Sequence, residues 1–286
     1  MASVVVVGAG VVGAATGHGL SHHGHEVTLV DTNPARVQTL RQQGFNATSV
    51  LTLGTGDSFV FVAIPTPADE GTGYDLSTLV TCLEAVGKAL SLTTARPTLV
   101  VRSTVPPRTT DEVVVPVLER CSGKVAGRDF GVAYAPEFLR EASAAQDFLA
   151  PWITVLASRY PESLDRLTEL FLPFGGELRA FDNPVVAELI KIAHNAFNAT
   201  KISFWNDMWR LCQELEVDAE AVSTTVARSA EGSFNPAYGI RGGSPYEGGC
   251  LPKDLEGLLA FGRSVDVDLP VIRGVRIANQ MVAEAT

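Results

Sequence analysis

Cysteine is scarce in this chain: its 286 residues include only four cysteines, and no two of them form a CxxC pair. We therefore expect neither a disulfide framework nor a structural metal site. Basic residues are also few: the chain has 22 Lys and Arg but 32 Asp and Glu, which gives a formal net charge of −10. A nucleic-acid binder normally shows a basic face, so we expect no nucleic-acid partner.

Long apolar runs are missing as well. No uncharged stretch approaches the roughly 18–20 residues that a membrane span requires. The N-terminal segment MASVVVVGAGVVGAATG is apolar, but it lacks a basic leader and glycines interrupt it, so it does not resemble a signal peptide. The sequence predicts a cytoplasmic protein with no membrane partner and, at this length, two domains.

The first half carries the pattern of a nucleotide-binding sheet. A β-branched run, Ser3 to Val7, leads into a G-x-G-x-x-G segment, and a second predicted strand at 26–30 ends in Asp31. The glycines let the backbone approach a pyrophosphate, and Asp31 can accept hydrogen bonds from a ribose 2′-hydroxyl, so we predict NAD as the cofactor. The candidate contacts in this turn are Gly8, Gly10, Val11, Val12 and Gly13.

Two further predicted strands, 59–64 and 98–101, run into polar segments. Since the carboxyl ends of parallel strands form the ligand-binding edge of such sheets, these segments supply cofactor contacts, although each residue alone is as well suited to cap a helix. The candidates are Thr66, Pro67, Ser103 and Thr104. With another strand at 132–135, we predict an α/β fold whose doubly wound, Rossmann-like parallel sheet occupies residues 1–182.

From residue 184 the pattern becomes helical, and apolar residues recur at helical spacing from Val185 to about Leu215. Glu188, Lys191 and Asn195 share one face of this helix. An ammonium and an amide four residues apart suit the stabilisation of an oxyanion, although a solvated polar stripe is the alternative. We predict that residues 183–286 form a smaller all-α domain.

A glycine-rich loop in the second half ends in Cys250, and a proline follows two residues later at a favoured first-turn helix position. A thiol at a helix N-terminus beside Lys253 is expected to have a lowered pKa, as a nucleophilic cysteine requires. Asp254, four residues further on, can lie on the same face. Cys82 and Cys212, by contrast, fall in apolar helical patterns and are predicted to be core thiols.

Seven segments occur in a specific order: GAGVVG, Asp31, AIPTP, RSTVPP, APEFLREA, ELIKIAHNAFNATKISFWND and GGCLPKD. In this combination the chain resembles the UDP-glucose/GDP-mannose dehydrogenase family over nearly its whole length. The resemblance implies oxidation of a primary alcohol of a nucleotide sugar to a carboxylate, with two NAD⁺ per turnover. It also implies an aldehyde that the cysteine captures and a thioester that water hydrolyses.

The same resemblance implies roles for individual residues. Cys250 carries the thiohemiacetal and the thioester, and Lys191 and Asn195 stabilise oxyanions. Asp254 handles protons through water, and Glu137 assists thioester hydrolysis. Thr104 falls near the reacting centre. The further cofactor positions are Glu141 and Lys253, and the substrate positions are Phe138, Leu139, Lys191, Asn195, Tyr246 and Gly248.

The chain also departs from the family pattern. The family normally carries a third domain, whereas this sequence stops at Thr286, so we expect either a truncated chain or a short homologue. Arg108 stands where the family usually has glycine, and Asn206-Asp207 stands where it usually has Asn-Glu. The substrate is therefore open between a UDP- or GDP-sugar and a smaller nucleotide or nucleoside 5′-hydroxyl.

Two other functions stay open at this stage. A β-hydroxyacid dehydrogenase also joins a G-x-G-x-x-G domain to a KxxxN helix, but it performs a two-electron oxidation without Cys250 or Glu137. A non-catalytic NAD-binding remnant is the other alternative. Family members pair through the helix that starts near Val185, so we predict a homodimer; in the alternative, its apolar side chains cover the first domain. Those side chains are Phe197, Ile202, Phe204, Trp205, Met208 and Trp209.

Overall fold

The computed structural model describes residues 1–69, 73–229, 235, 238–239, 242–248 and 250–285. Its strands are β1 (Ser3–Val7), β2 (Glu26–Val30), β3 (Asn46–Thr48), β4 (Asp57–Val62), β5 (Ala68–Asp69), β6 (Gly73–Tyr74), β7 (Thr98–Val101), β8 (Gly131–Tyr134), β9 (Ile153–Ala157) and β10 (Glu177–Phe181). Its helices are α1 (Val11–His22), α2 (Pro34–Gln42), α3 (Ser77–Leu92), α4 (Val115–Ser122), α5 (Ala144–Leu149), α6 (Pro161–Phe171), α7 (Pro184–Glu214), α8 (Ala219–Ser229), α9 (Leu251–Ser264) and α10 (Pro270–Ala285).

The main sheet has eight strands in the order β10-β9-β8-β7-β4-β1-β2-β3. From β3 to β8 the neighbouring strands pair in parallel, in the order of a dinucleotide-binding sheet. The predicted doubly wound fold is confirmed. The parallel run ends at β8, because β9 pairs with β8 antiparallel through Tyr134 and Ala157, and β10 then continues parallel to β9.

Both faces of the sheet are buried, which explains why its strands are continuous apolar runs rather than alternating ones. Along β1, Val4 and Val6 pack into the core on one face, together with Leu20 of α1. Val5 and Val7 pack into the core on the other face. The β-branched run of β1 is therefore predictable as a buried strand, and its ends coincide with the predicted ones.

The chain divides into two compact units, residues 1–193 and 194–286. The first unit contains the main sheet. The second has its own apolar core around Leu259, Leu269 and Ile272. The division falls inside α7, which begins at Pro184, whereas the domain boundary at 182/183 stays a prediction from the sequence.

The second unit begins its last helix on a buried carboxylate. Asp207 of α7 is 1% exposed and accepts hydrogen bonds from the backbone N–H groups of Val271 and Ile272, at 2.9 and 3.4 Å. These are first-turn donors of α10, which have no partner within their own helix. The aspartate that stands where the family usually has glutamate therefore holds α10 to α7.

All four cysteines are free thiols. Cys212 is buried, as expected for a core thiol. Cys82 is only partly buried and packs against the core of the first unit, where burial raises the pKa of its thiol to about 12. Among the described residues, no helix is both long and apolar enough to cross a bilayer. That part of the chain also holds no group of three His, Cys, Asp or Glu side chains arranged to bind a metal ion.

Candidate active site

The turn between β1 and α1 needs its glycines for different reasons. Gly8 has φ +88°, and a Cβ there would lie 2.4 Å from the carbonyl oxygen of Ala63. A Cβ on Gly13 would lie 1.7 Å from the carbonyl oxygen of Gly8. Neighbouring backbone therefore leaves no room for a side chain at either position. A Cβ on Gly10 meets no described atom within 4 Å. Gly10 therefore leaves open space at the start of α1, where a phosphate can approach the helix N-terminus.

Asp31 follows β2 and lies beside this turn. Its Oδ2 accepts a hydrogen bond from the N–H of Ala9 at 2.9 Å, and its Oδ1 accepts one from Asn33 at 2.8 Å. Each carboxylate oxygen keeps a second acceptor position for a ribose hydroxyl. The contact with Ala9 fixes the acidic group next to the glycine turn.

A pocket of about 970 Å³ opens along the carboxyl ends of these strands. Most of the predicted cofactor contacts line it, together with Glu137. The predicted residues in its wall are Gly8, Gly10, Val11, Val12, Asp31, Thr66, Ser103 and Thr104. Residues 49–51, which follow β3, and Arg102 also line the pocket, although no sequence motif indicates them. Gly13 and Pro67 lie outside the described lining.

Two of the predicted hydroxyl contacts are already engaged with backbone. Ser103 donates to the carbonyl of Ile64 at 2.7 Å and accepts from the N–H of Ile64 at 2.9 Å. Thr66 donates to the carbonyl of Thr104. These bonds hold the segments after β4 and β7 together, so the hydroxyl groups shape the pocket wall whether or not they also touch the cofactor.

Glu137, which follows β8, forms an ion pair with Lys191 of α7. Lys191 Nζ lies 3.0 Å from Glu137 Oε1, and the side chain of Lys191 is only 6% exposed. Oε2 of Glu137 accepts the N–H of Leu139 at 2.7 Å, and Lys191 Nζ lies 5.5 Å from the centre of the Phe138 ring. The resemblance assigned all four of these residues to the site, and they lie together in the first unit.

Glu188, one turn before Lys191, is completely buried. Its carboxylate accepts hydrogen bonds from the N–H of Arg108, and from the N–H and the hydroxyl of Thr110 at 2.8 and 2.6 Å. Burial raises the pKa of Glu188, although these three donors oppose that shift. The residue is thus an anchor between α7 and the segment after β7, not part of a solvated polar stripe.

The remaining predicted residues of the first unit are more exposed. Glu141 lies in a short 3₁₀ turn, Glu141–Ser143, with its side chain in solvent. Arg140 beside it pairs with Asp147 at 2.6 Å. Nothing in these contacts places Glu141 at the pocket wall, and its role as a cofactor contact stays a prediction.

Asn195 and the cysteine segment belong to the second unit. Asn195 is exposed on α7, and Cys250 is exposed at the residue that precedes α9. The N–H of Asp254 donates to the carbonyl of Cys250 at 2.9 Å, so the two residues lie one helical turn apart as predicted. Lys253 and Asp254 form an exposed ion pair at 3.4 Å. Gly249, in the same motif, lies outside the described residues.

The loop before Cys250 is held by a residue that no sequence motif indicates. Asn279 of α10 accepts the N–H of Tyr246 at 2.7 Å and donates to the carbonyl of Tyr246 at 3.1 Å. Gly248 follows with φ +93°, a conformation that favours glycine. The only available signal was a polar residue within an amphipathic helix, which carries no information about a partner 33 positions away.

Taken together, the parallel strand order, the glycine turn and the acidic residue after β2 define a dinucleotide-binding protein. The sequence matches the NAD binding domain of the UDP-glucose/GDP-mannose dehydrogenase family over residues 2–48 and 52–175, and the central domain of the same family over residues 185–281. The chain belongs to this family. It is an NAD-dependent oxidoreductase, and NAD is its cofactor.

Individual relatives cover nearly all of this chain. GDP-mannose 6-dehydrogenase from Pseudomonas aeruginosa is 32% identical, over 96% of this chain and 68% of its own length. A solved ternary complex of GDP-mannose dehydrogenase from the same organism superposes with a TM-score of 0.89 at 30% identity, over 98% of this chain and 69% of that one. A UDP-glucose dehydrogenase from the archaeon Pyrobaculum islandicum superposes with a TM-score of 0.75 at 29% identity, over 98% and 68%.

Proposed function

We propose that this protein oxidises the primary alcohol of a nucleotide sugar to a carboxylate in two successive two-electron steps. The observation that carries the proposal is the ion pair between the buried Lys191 and Glu137, which lines the dinucleotide pocket. A cation at this place can stabilise negative charge on a reacting oxygen, and a carboxylate beside it can accept a proton from water. A simple two-electron dehydrogenase needs the lysine but not the carboxylate.

Cys250 supplies the covalent step. In the first oxidation the alcohol loses a hydride and its hydroxyl proton and becomes an aldehyde, and the thiolate of Cys250 then forms a C–S bond to the aldehyde carbon. The carbonyl oxygen takes up a proton, which gives a thiohemiacetal. Loss of a second hydride and of that proton gives a thioester. Water then cleaves the C–S bond, releasing the carboxylate and the free thiol.

The other predicted residues act around this carbon. Lys191 and Asn195 donate hydrogen bonds to the oxygen while it carries negative charge, and Glu137 accepts a proton from the attacking water. Asp254 exchanges protons through water with the thiol of Cys250. When bound, NAD accepts both hydrides, one molecule for each step.

For the substrate, GDP-mannose is the first candidate. A GDP-mannose dehydrogenase superposes at a TM-score of 0.89, against 0.75 for a UDP-glucose dehydrogenase of nearly the same sequence identity. Both relatives act on sugar nucleotides with a primary alcohol to oxidise, which supports the same class here. A smaller nucleotide or nucleoside is the competing substrate class.

The decisive test is the number of NADH molecules formed per substrate consumed, measured with GDP-mannose, UDP-glucose, nucleosides and their monophosphates. We expect two NADH per sugar nucleotide. One NADH would favour the two-electron alternative, and two NADH from a nucleoside alone would change the substrate class. NAD binding without turnover of any of these substrates would contradict the proposed activity.

Replacing the thiol tests the covalent step separately. We expect Cys250→Ser to abolish formation of the carboxylate while NAD binding stays unchanged, because a hydroxyl is a far weaker nucleophile than a thiolate. Cys121→Ser is the matched control, since Cys121 lies in α4 of the first unit. Full turnover by the Cys250 variant would rule out the thioester.

We also infer that two copies of the chain pair through α7. Every residue from 193 to 202 is exposed, and Phe197 and Ile202 are 64% and 63% exposed. Large apolar side chains that are this exposed on a long helix are typical of a surface that another protein covers. Sedimentation of the full chain should give a dimer, and Phe197→Glu should shift it toward the monomer. A monomeric wild-type protein would contradict the inference.

A further inference from the structure

Arg102 is the one buried charged side chain among the described residues that has neither a hydrogen-bond nor an ion-pair partner. It directly follows β7 and is 5% exposed, and its Nε has no hydrogen-bond partner. The other buried charged groups are each bonded: Lys191 to Glu137, and Glu188 and Asp207 to donors described above. No carboxylate in the described part of the chain lies within ion-pair distance of Arg102.

An unpaired buried cation is costly, so its persistence calls for a compensating interaction. Two aromatic rings offset part of the cost, because the guanidinium carbon lies 5.3 Å from the ring centre of Phe148 and 5.9 Å from that of Phe171. Burial lowers the pKa of Arg102 to about 10, which still leaves the group charged at neutral pH. The negative charge of Glu137 opposes this lowering of the Arg102 pKa, but the carboxylate of Glu137 forms its ion pair with Lys191.

The strand order places Arg102 at a definite end of the dinucleotide pocket. The ribose-binding acid, Asp31, follows β2, and the glycine turn for the pyrophosphate follows β1. Arg102, Thr104 and Glu137 line the same pocket at the ends of β7 and β8, beyond β4. The end of β7 is two strands, or about 10 Å, from the glycine turn. A dinucleotide that starts at Asp31 therefore brings its nicotinamide toward Arg102.

We propose that Arg102 makes this pocket bind the reduced cofactor more tightly than the oxidised one. The oxidised nicotinamide ring is positively charged and the reduced ring is neutral, whereas both forms carry the same phosphate charges. A buried positive charge near the ring therefore disfavours the oxidised form selectively. Hydride transfer removes the ring charge, so the same repulsion favours hydride acceptance. This inference rests on the proposed function only in that NAD occupies the pocket.

The test compares the dissociation constants of NAD⁺ and NADH for the full-length chain, measured by calorimetry without any sugar substrate. We expect Arg102→Met to lower the ratio of the NAD⁺ constant to the NADH constant by on the order of tenfold, as expected for a unit charge several ångströms from the ring. Arg102→Gln removes the charge with a smaller change in packing and should lower the ratio in the same direction. Arg102→Lys should keep it.

Arg166→Met is the matched control. The Arg166 guanidinium also lies over a phenylalanine, 5.3 Å from the ring centre of Phe59, but it donates to the carbonyls of Arg96 and Ser58 and does not line the dinucleotide pocket. The ratio should stay at the wild-type value in this variant. If Arg166→Met lowers the ratio as much as Arg102→Met, the effect is not specific and the inference fails.

The outcomes separate this inference from the proposed function. If both cofactor forms bind and neither Arg102→Met nor Arg102→Gln changes the ratio, the inference is overturned and the proposed reaction is untouched. If the ratio falls as expected while no sugar nucleotide is oxidised, the inference stands and the proposed reaction fails. If the wild-type chain binds neither form, the role of Arg102 is refuted together with the cofactor assignment.

Discussion

Lys191 and Cys250 carry most of the proposed chemistry, and they lie in opposite environments. Lys191 is buried in the first unit and paired with Glu137, whereas Cys250 is exposed in the second unit at the start of α9. Burial and the ion pair with Glu137 hold Lys191 inside the folded first unit, so the core of that unit positions this proposed catalytic group. The loop before Cys250 depends instead on the two hydrogen bonds of Asn279. Substitutions of catalytic candidates in the two units should therefore differ in how much they lower the free energy of unfolding.

Lys191→Met should have the largest effect, because it removes the proposed oxyanion donor and leaves Glu137 without its ion-pair partner. We expect the rate of NADH formation to fall by about 10²–10⁴-fold. The free energy of unfolding should also fall, by roughly 3 kcal/mol, as for other broken buried pairs. Steady-state kinetics and urea unfolding measure the two effects.

Asn195→Ala is the control for that comparison. Asn195 lies one turn further along α7 but is exposed, so its loss should slow the reaction while the free energy of unfolding stays within about 0.5 kcal/mol. Equal loss of stability in the two variants would contradict the contrast between the buried Lys191 and the exposed Asn195.

Glu188→Ala tests whether the anchor of α7 is structural. The change leaves the N–H groups of Arg108 and Thr110 and the Thr110 hydroxyl without their acceptor in a buried site. We expect a loss of about 3 kcal/mol in the free energy of unfolding, with urea denaturation as the measurement. A loss below about 0.5 kcal/mol would show that the anchor contributes little.

The same residue should give a pH-dependent contribution. Burial raises the pKa of Glu188 above its unfolded value of 4.5, so near this pH the folded state binds more protons than the unfolded state. Stability contributed by Glu188 is then fully present below pH 4.5 and declines as the pH rises through the folded pKa. The difference in unfolding free energy between wild type and Glu188→Gln should follow that course. A difference that increases with pH would mean that the three donors outweigh burial.

The sequence was sufficient to predict the elements that follow from local pattern. The β-branched runs at Ser3–Val7 and Thr98–Val101 have the predicted ends, and α7 begins and ends within a residue of its prediction. The motifs also selected Glu137 and Lys191, which the structure joins in an ion pair. In each case the signal is the residue type at a fixed spacing.

What the sequence could not predict depends on distant partners. The spacing of Glu188 and Lys191 is the same for a solvated stripe and for a buried one, so only packing against the segment after β7 distinguishes them. Asn279 bonds to a backbone 33 positions away. The end of β7 marks a ligand edge, but no local pattern indicates that Arg102 is left unpaired there.

Asn279→Ala should loosen the cysteine loop without unfolding the second unit. Both hydrogen bonds to Tyr246 are lost, so we expect the free energy of local opening to fall by roughly 1 kcal/mol and the amide of Tyr246 to exchange with solvent about fivefold faster. Asn279→Asp keeps an acceptor for the N–H of Tyr246 and loses only the donor, so its exchange rate should be intermediate. Hydrogen exchange at that amide measures both variants, and no change in Asn279→Ala would contradict the anchoring role.

Arg108→Gly should have the smallest effect, and it should be stabilising. Arg108 has φ +77°, a left-handed conformation that costs a residue with a Cβ about 1–2 kcal/mol, and glycine avoids this cost. The larger entropy of glycine in the unfolded chain cancels part of the gain, and the exposed ion pair with Glu112, at 3.8 Å, contributes little. We expect a net gain of about 0.5–1 kcal/mol on urea unfolding. Arg108→Ala keeps the strain and loses the ion pair, so it should be no more stable than wild type. An Arg108→Gly variant that is less stable than Arg108→Ala would contradict this prediction. It would show that the hydrogen bond from the N–H of Arg108 to Glu188 does not hold the backbone in a strained conformation.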